Sequence, residues 1–109
     1  MKQRIEDRIH KKLVVSFGES GFELLGLTGN ISRGGMFLES HVLFPQNKEI
    51  SLMIAVSEDV LNIKGVVKWV TDSSDQLAKE VSRGMGIKII DAPVEYFNYV
   101  EYSQYANSF

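Results

Sequence analysis

Two parts of this sequence carry residue types suited to chemistry: a pair of guanidiniums four residues apart, Arg4 and Arg8, and a polar, glycine-rich stretch from Thr28 to Leu38. A guanidinium presents a planar fork of N–H donors that matches a phosphate or the O6/N7 edge of guanine, so Arg4-Ile5-Glu6-Asp7-Arg8 can close as one anion clamp. In the second part, Asn30-Ile31-Ser32-Arg33-Gly34-Gly35 offers short polar side chains with little entropy to lose. They stand beside glycines that let a backbone approach a ligand closely. Such a pattern suits hydrogen bonds to a base edge or a phosphate. Taken singly, the first part also fits a solvated terminus and the second an ordinary hairpin turn.

Other chemistries lack their residues. The chain has no cysteine, hence no disulfide and no thiolate metal site, and its two histidines, His10 and His41, have no companions at metal-ligand spacing. No nucleophile is paired with a base, and neither a P-loop nor a dinucleotide fingerprint is present, so no enzymatic activity is expected. Asn30-Ile31-Ser32 matches a glycosylation acceptor, but no apolar signal segment opens the chain, and the absence of cysteine fits a reducing cytoplasm. Arg33-Gly34-Gly35 is single and flanked by strand-formers, unlike the repeated arginine-glycine tails that bind RNA.

The net charge of −2 over 109 residues argues against a non-specific DNA or RNA binder, whose affinity comes from many cation–phosphate contacts. The charge is unevenly spread. Lys2, Arg4, Arg8, Lys11 and Lys12 stand against Glu6 and Asp7, so the first twelve residues carry +3 and the remainder −5. A short basic segment on an acidic body suits a small, doubly charged anion better than a polymer. No run approaches the roughly 18 apolar residues of a membrane span.

The elements that must position these groups are β-strands. With 44% hydrophobic residues and this length, the chain is expected to form one domain over residues 1–109: an exposed arm over 1–10, a β-barrel over 11–90 and a helix over 92–104. Leu13, Val15 and Phe17 alternate with Val14 and Ser16; Gly18 to Gly21 reads as a turn into a second strand from Phe22 to Thr28. A short third strand begins at Met36. Ile50, Leu52, Ile54 and Val56 give a fourth strand one apolar face, and Leu61, Ile63, Val67 and Trp69 share one parity in a fifth. On that parity Trp69 is expected in the core, and Gly65 is expected to mark a bulge or bend. Gly84 to Ile90 is a last strand, Asp91 reads as a helix N-cap, and Pro93 and Glu95 fall in the first turn of a terminal helix. The fold expected is all-β, a small six-stranded antiparallel barrel with a C-terminal α-helix. The segment from Gln76 to Arg83 fits either a loop or a continuing strand.

In order and spacing, the arginine pair, Asn30-x-Ser32-x-x-Gly35 running into Met36-Phe37-Leu38, Gly65-Val66-Val67-Lys68-Trp69-Val70 and Gly84-Met85-Gly86-Ile87-Lys88-Ile89 resemble the PilZ family over nearly the whole chain. The resemblance implies a small β-barrel receptor for the bacterial second messenger cyclic di-GMP. Arg4 and Arg8 would be its arginine pair and Asn30, Ser32 and Gly35 its second motif, with Gln3, Arg33 and Gly34 as flanking contacts. The chemistry is consistent with that ligand, which offers two guanine edges and two phosphates. Charge-assisted hydrogen bonds contribute about 1.5–3 kcal/mol each, so three or four, less the cost of ordering an arm, reach the roughly −8 kcal/mol of a micromolar complex. Where the family often has Asp this chain has Asn30, which offers guanine one carbonyl acceptor rather than two carboxylate oxygens. Both arginines lie within the first eight residues, so ligand binding is expected to order the N-terminal arm and thereby couple to a protein partner. A nucleotide-independent adaptor is the alternative, and it has no need of the intact arginine and Asn/Ser set.

Overall fold

The computed structural model describes residues 8–72 and 83–107. Six strands follow in order, β1 (Val14–Gly18), β2 (Leu24–Ile31), β3 (Gly35–Glu39), β4 (Glu49–Val56), β5 (Asp59–Asp72) and β6 (Arg83–Asp91), and then one helix, α1 (Val94–Asn107). They form a closed antiparallel barrel in the order β1-β2-β3-β6-β5-β4. This is the expected architecture, and closure leaves no sheet edge unpaired.

The barrel closes because five of the six strands turn an apolar parity inward. Val15 and Phe17, Met36 and Leu38, Leu52 and Ile54, Ile63 and Val67, and Met85 and Ile87 fill the interior, all almost wholly buried. Helix α1 contributes Tyr96 and Val100 to the same core. It begins at Val94, with Tyr96 N–H donating to the Pro93 carbonyl at 3.0 Å. Asp91 is the final residue of β6 and does not cap the helix as its residue type suggested.

Two irregularities decide where the functional side chains lie. The β2–β3 register shifts between Thr28 and Asn30, so β2 runs on through Asn30 and Ile31 and the turn shrinks to Ser32 to Gly34. The β5–β6 register shifts twice, between Lys64 and Gly65, as Gly65 foretold, and between Val67 and Trp69. The second shift breaks the parity that Trp69 shared with Val67: Val67 is fully buried and Trp69 is 52% exposed. Its expected place in the core is thereby corrected.

The segment expected as an arm over 1–10 is described only from Arg8 onward, and those residues are seated on the barrel. Ile9 and Ile31 exchange N–H to C=O hydrogen bonds of 2.9 Å each, and Ile9 is 2% exposed. The buried Thr28 hydroxyl accepts from Leu13 N–H at 2.9 Å and donates to the Lys11 carbonyl, tying residues 11–13 to β2.

Candidate functional site

Arg8, Asn30, Gly34 and Gly35 meet at one cleft, on the wall formed by the end of β2, β3, β6 and the second half of β5. Burial of Ile9 fixes the backbone beside Arg8, whose Nη1 donates to Asn30 Oδ1 at 2.6 Å. The arginine and the asparagine of the two motifs are therefore one hydrogen-bonded unit although 22 residues separate them in sequence.

Ser32 does a different job from the one its motif suggests. It is fully buried, its N–H donates to the Gly35 carbonyl at 2.8 Å and its hydroxyl to the same carbonyl at 3.3 Å, so it holds the turn shut beneath the cleft. Its own carbonyl accepts from the buried Tyr96 hydroxyl at 2.7 Å, which ties the turn to α1. Arg33 lies away from the cleft, ion-paired with Glu101 and 5.6 Å over the Phe97 ring. Arg4 and Gln3 fall outside the described residues.

Gly35 is required by close approach, not by a left-handed backbone, since no described glycine has a positive φ. A Cβ on Gly35 would stand 2.5 Å from the Ile87 carbonyl of β6, where nothing flexible can yield. Beside it, Gly34 C=O accepts from Ile89 N–H at 2.9 Å, so the turn is stitched to β6.

The rest of the cleft was hidden in the sequence. Its walls include Phe37, Lys68, Trp69, Gly86 and Lys88. Phe37 and Trp69 stack with centroids 5.3 Å apart and planes within 20°. They lie flat because β6 has no outward side chain beneath them: a Cβ on Gly84 would run into the Phe37 ring and one on Gly86 into the Trp69 indole. The alternating glycines of the last strand thus make room for two rings. Lys68, Lys88 and Arg8 are all exposed, so among the described residues three cations and no carboxylate line this cleft in a chain of net charge −2. Lys68-Trp69 adjacency was the one available signal, and it needed the bulge to bring both residues to the same surface.

The cleft encloses about 240 Å³, just below the roughly 300–1,000 Å³ of pockets that bury most of a small molecule. The described residues leave it open to solvent on one side. The arrangement offers an aromatic surface for a base, cations for phosphate and an amide carbonyl for a base edge.

A closed six-stranded barrel with one terminal helix and a cation-lined aromatic cleft is the class of molecule defined by these features. The family model for the PilZ domain matches residues 2–101, and the chain belongs to that family, one of cyclic di-GMP-binding domains. Among solved structures it is similar to the Bacillus subtilis inhibitor of motility MotI/DgrA, with a TM-score of 0.79 at 18% identity over 98% of this chain. The match takes in 52% of that protein, so this chain spans about half its length. No curated protein sequence matches the chain. Among the described residues no helix is long and apolar enough to cross a membrane.

Proposed function

We propose that this chain is a non-enzymatic receptor for cyclic di-GMP, with Arg8, Asn30 and the Phe37–Trp69 surface as its contact points and Gly35 as the point of close backbone approach. The observation that carries the reading is the Arg8–Asn30 hydrogen bond, which brings the two motifs to one cation-lined cleft. A guanine stacks on Trp69 while Asn30 and Arg8 turn from each other to its edges, and Lys68 and Lys88 neutralise phosphate. Arg4 joins from the segment before Arg8 and covers the open side of the ligand. Ser32 acts by holding the turn.

In the same reading, binding orders the residues that precede Arg8 and so makes a surface for a protein partner, which in turn raises ligand affinity by reciprocity. Ile9 is buried and paired with Ile31, so in this reading the ordering concerns residues before Ile9. Titration calorimetry with cyclic di-GMP, with GTP and cyclic GMP as controls, tests the receptor reading; binding with quenching of Trp69 fluorescence is expected. A folded protein that takes up no cyclic di-GMP at about 100 times a micromolar dissociation constant supports the nucleotide-independent adaptor instead. Amide exchange tests the coupling: residues 1–7 should gain protection with ligand, while Ile9 to Leu13 should be protected already.

A further inference from the structure

The outer surface of β2, β1, β4 and β5 carries apolar side chains that no element of the described chain covers. Strand register places them in rows across the wall. Leu27 stands beside Val14, the register of Val15 with Ile54 carried one step on puts Val14 beside Ala55, and Ala55 stands beside Val60. The next row is Leu25, Ser16, Met53 and Asn62. Leu25 is 69% exposed, Val60 58%, Val14 54% and Leu27 40%. Isolated exposed apolar residues are ordinary, but a contiguous set reaching across four strands marks an interaction surface.

The charges at the edge of this band say what covers it. One row further along, Gly18 pairs with Ser51 and Ser51 with Lys64. The register of Phe17 with Leu24 sets Glu23 at the other end of that row, and the Glu23 carboxylate lies against Gly18, 3.0 Å from where a Cβ would be. Glu23 and Lys64 are both exposed and belong to no described ion pair. A two-fold axis parallel to the strands, lying in the plane of contact, reverses the strand order of one copy over the other. It sets Leu27 against Val60, Val14 against Ala55, and Glu23 against Lys64, each twice by symmetry. On the opposite flank it sets Lys12 against Ser57 and Glu58 against Gly29, so it brings no like charges into register there.

From this self-complementary pattern we propose that the β2-β1-β4-β5 wall is a homodimer interface, occupied by a second copy of this chain. The wall of a small barrel is convex, so contact centres on Val14 and Ala55, and the Glu23–Lys64 pairs fall on the polar rim. An interface of this kind is small and gives a reversible, concentration-dependent dimer, not an obligate one. It shares no residue with the Arg8 cleft, so two ligand sites would face outward from the pair.

Sedimentation velocity over a concentration series, with charge-swap variants, tests the proposal. The weight-average mass of the unmodified chain should rise from 12.3 kDa toward twice that value. Glu23→Lys or Lys64→Glu alone turns two attractions into two repulsions and should weaken self-association at least about tenfold, whereas the double swap restores both pairs and should return it to within about threefold. Both changes are on exposed side chains, and circular dichroism melting confirms that the fold is kept. A chain that stays monomeric into the high micromolar range overturns the proposal. So does a dimer indifferent to both single swaps, or one that the double swap does not rescue.

Discussion

The two sides of the barrel solve opposite problems with the same strand geometry. On the β3–β6–β5 side, outward positions are emptied: Gly84 and Gly86 carry no side chain, and Phe37 and Trp69 fold down into the space they leave. On the β2–β1–β4 side, outward positions are filled with Leu25, Leu27 and Val14, and the surface is apolar. The first leaves a concave, cation-lined hollow, which we assign to a nucleotide; the second leaves an exposed apolar surface, which we assign to a second copy of the chain. Glycine placement on one strand, more than the charge of the chain as a whole, separates them.

The sharpest way to break this contrast is to refill the emptied side. Gly35→Val drives a branched side chain against the Ile87 carbonyl, and overpacking against backbone costs about 1–3 kcal/mol. Melting should fall by roughly 5–20 °C, at the 4–8 °C per kcal/mol usual for a domain of this size, and ligand binding should be lost with it. Gly86→Ala sharpens the point, because its added methyl meets an indole that can swing away. Stability should change little while Trp69 emission shifts and binding weakens. Equal melting losses for the two variants would show that both glycines serve strand packing alone.

Arg8→Ala follows in size. Arg8 is exposed and its one described side-chain bond is to Asn30, so melting of the free protein should be nearly unchanged. Its loss removes a charge-assisted contact worth about 1.5–3 kcal/mol, a tenfold or greater loss of cyclic di-GMP affinity by calorimetry. Binding within threefold of the unmodified chain would remove Arg8 from the site. Trp69→Ala should cost a similar or smaller factor, since stacking of a base on an aromatic ring contributes about 1–3 kcal/mol. If the variant binds as before, Trp69 is only a lid on Gly86.

How far the sequence disclosed this contrast can be read from single residues. The barrel was legible because Ile50, Leu52 and Ile54, like Val15 and Phe17, keep one parity, and a closed sheet needs every such parity turned inward. The motif residues were legible as types, but not their division of labour: Ser32 and Gly35 look alike as small residues, while one ties a turn through its hydroxyl and the other exists to lack a Cβ. Trp69 was misplaced because a bulge shifts parity without changing composition, and nothing local in Val67-Lys68-Trp69 announces it. The apolar outer wall was illegible for a related reason. Val14 and Leu25 look like core until register assigns them a side.

The smallest effect expected is at Arg33, and it bears on whether the site and the helix act as one. The sequence groups Arg33 with the ligand contacts, but its side chain is turned to α1, bound to Glu101 and resting over Phe97. Both members of that ion pair are more than half exposed, 52% and 57%, so it adds less than about 1 kcal/mol to stability. Arg33→Ala should therefore lower melting by no more than a few degrees and leave cyclic di-GMP affinity within about threefold, in contrast to Arg8→Ala in the cleft itself. A tenfold loss of affinity would mean that Arg33 leaves Glu101 when the nucleotide arrives. Glu101→Gln should then tighten binding, because the competing carboxylate is gone, and the turn would pull on α1 at the Arg33–Glu101 pair as well as at the Tyr96–Ser32 hydrogen bond. Measuring both variants by calorimetry separates a helix that merely braces the turn from one that is released by ligand.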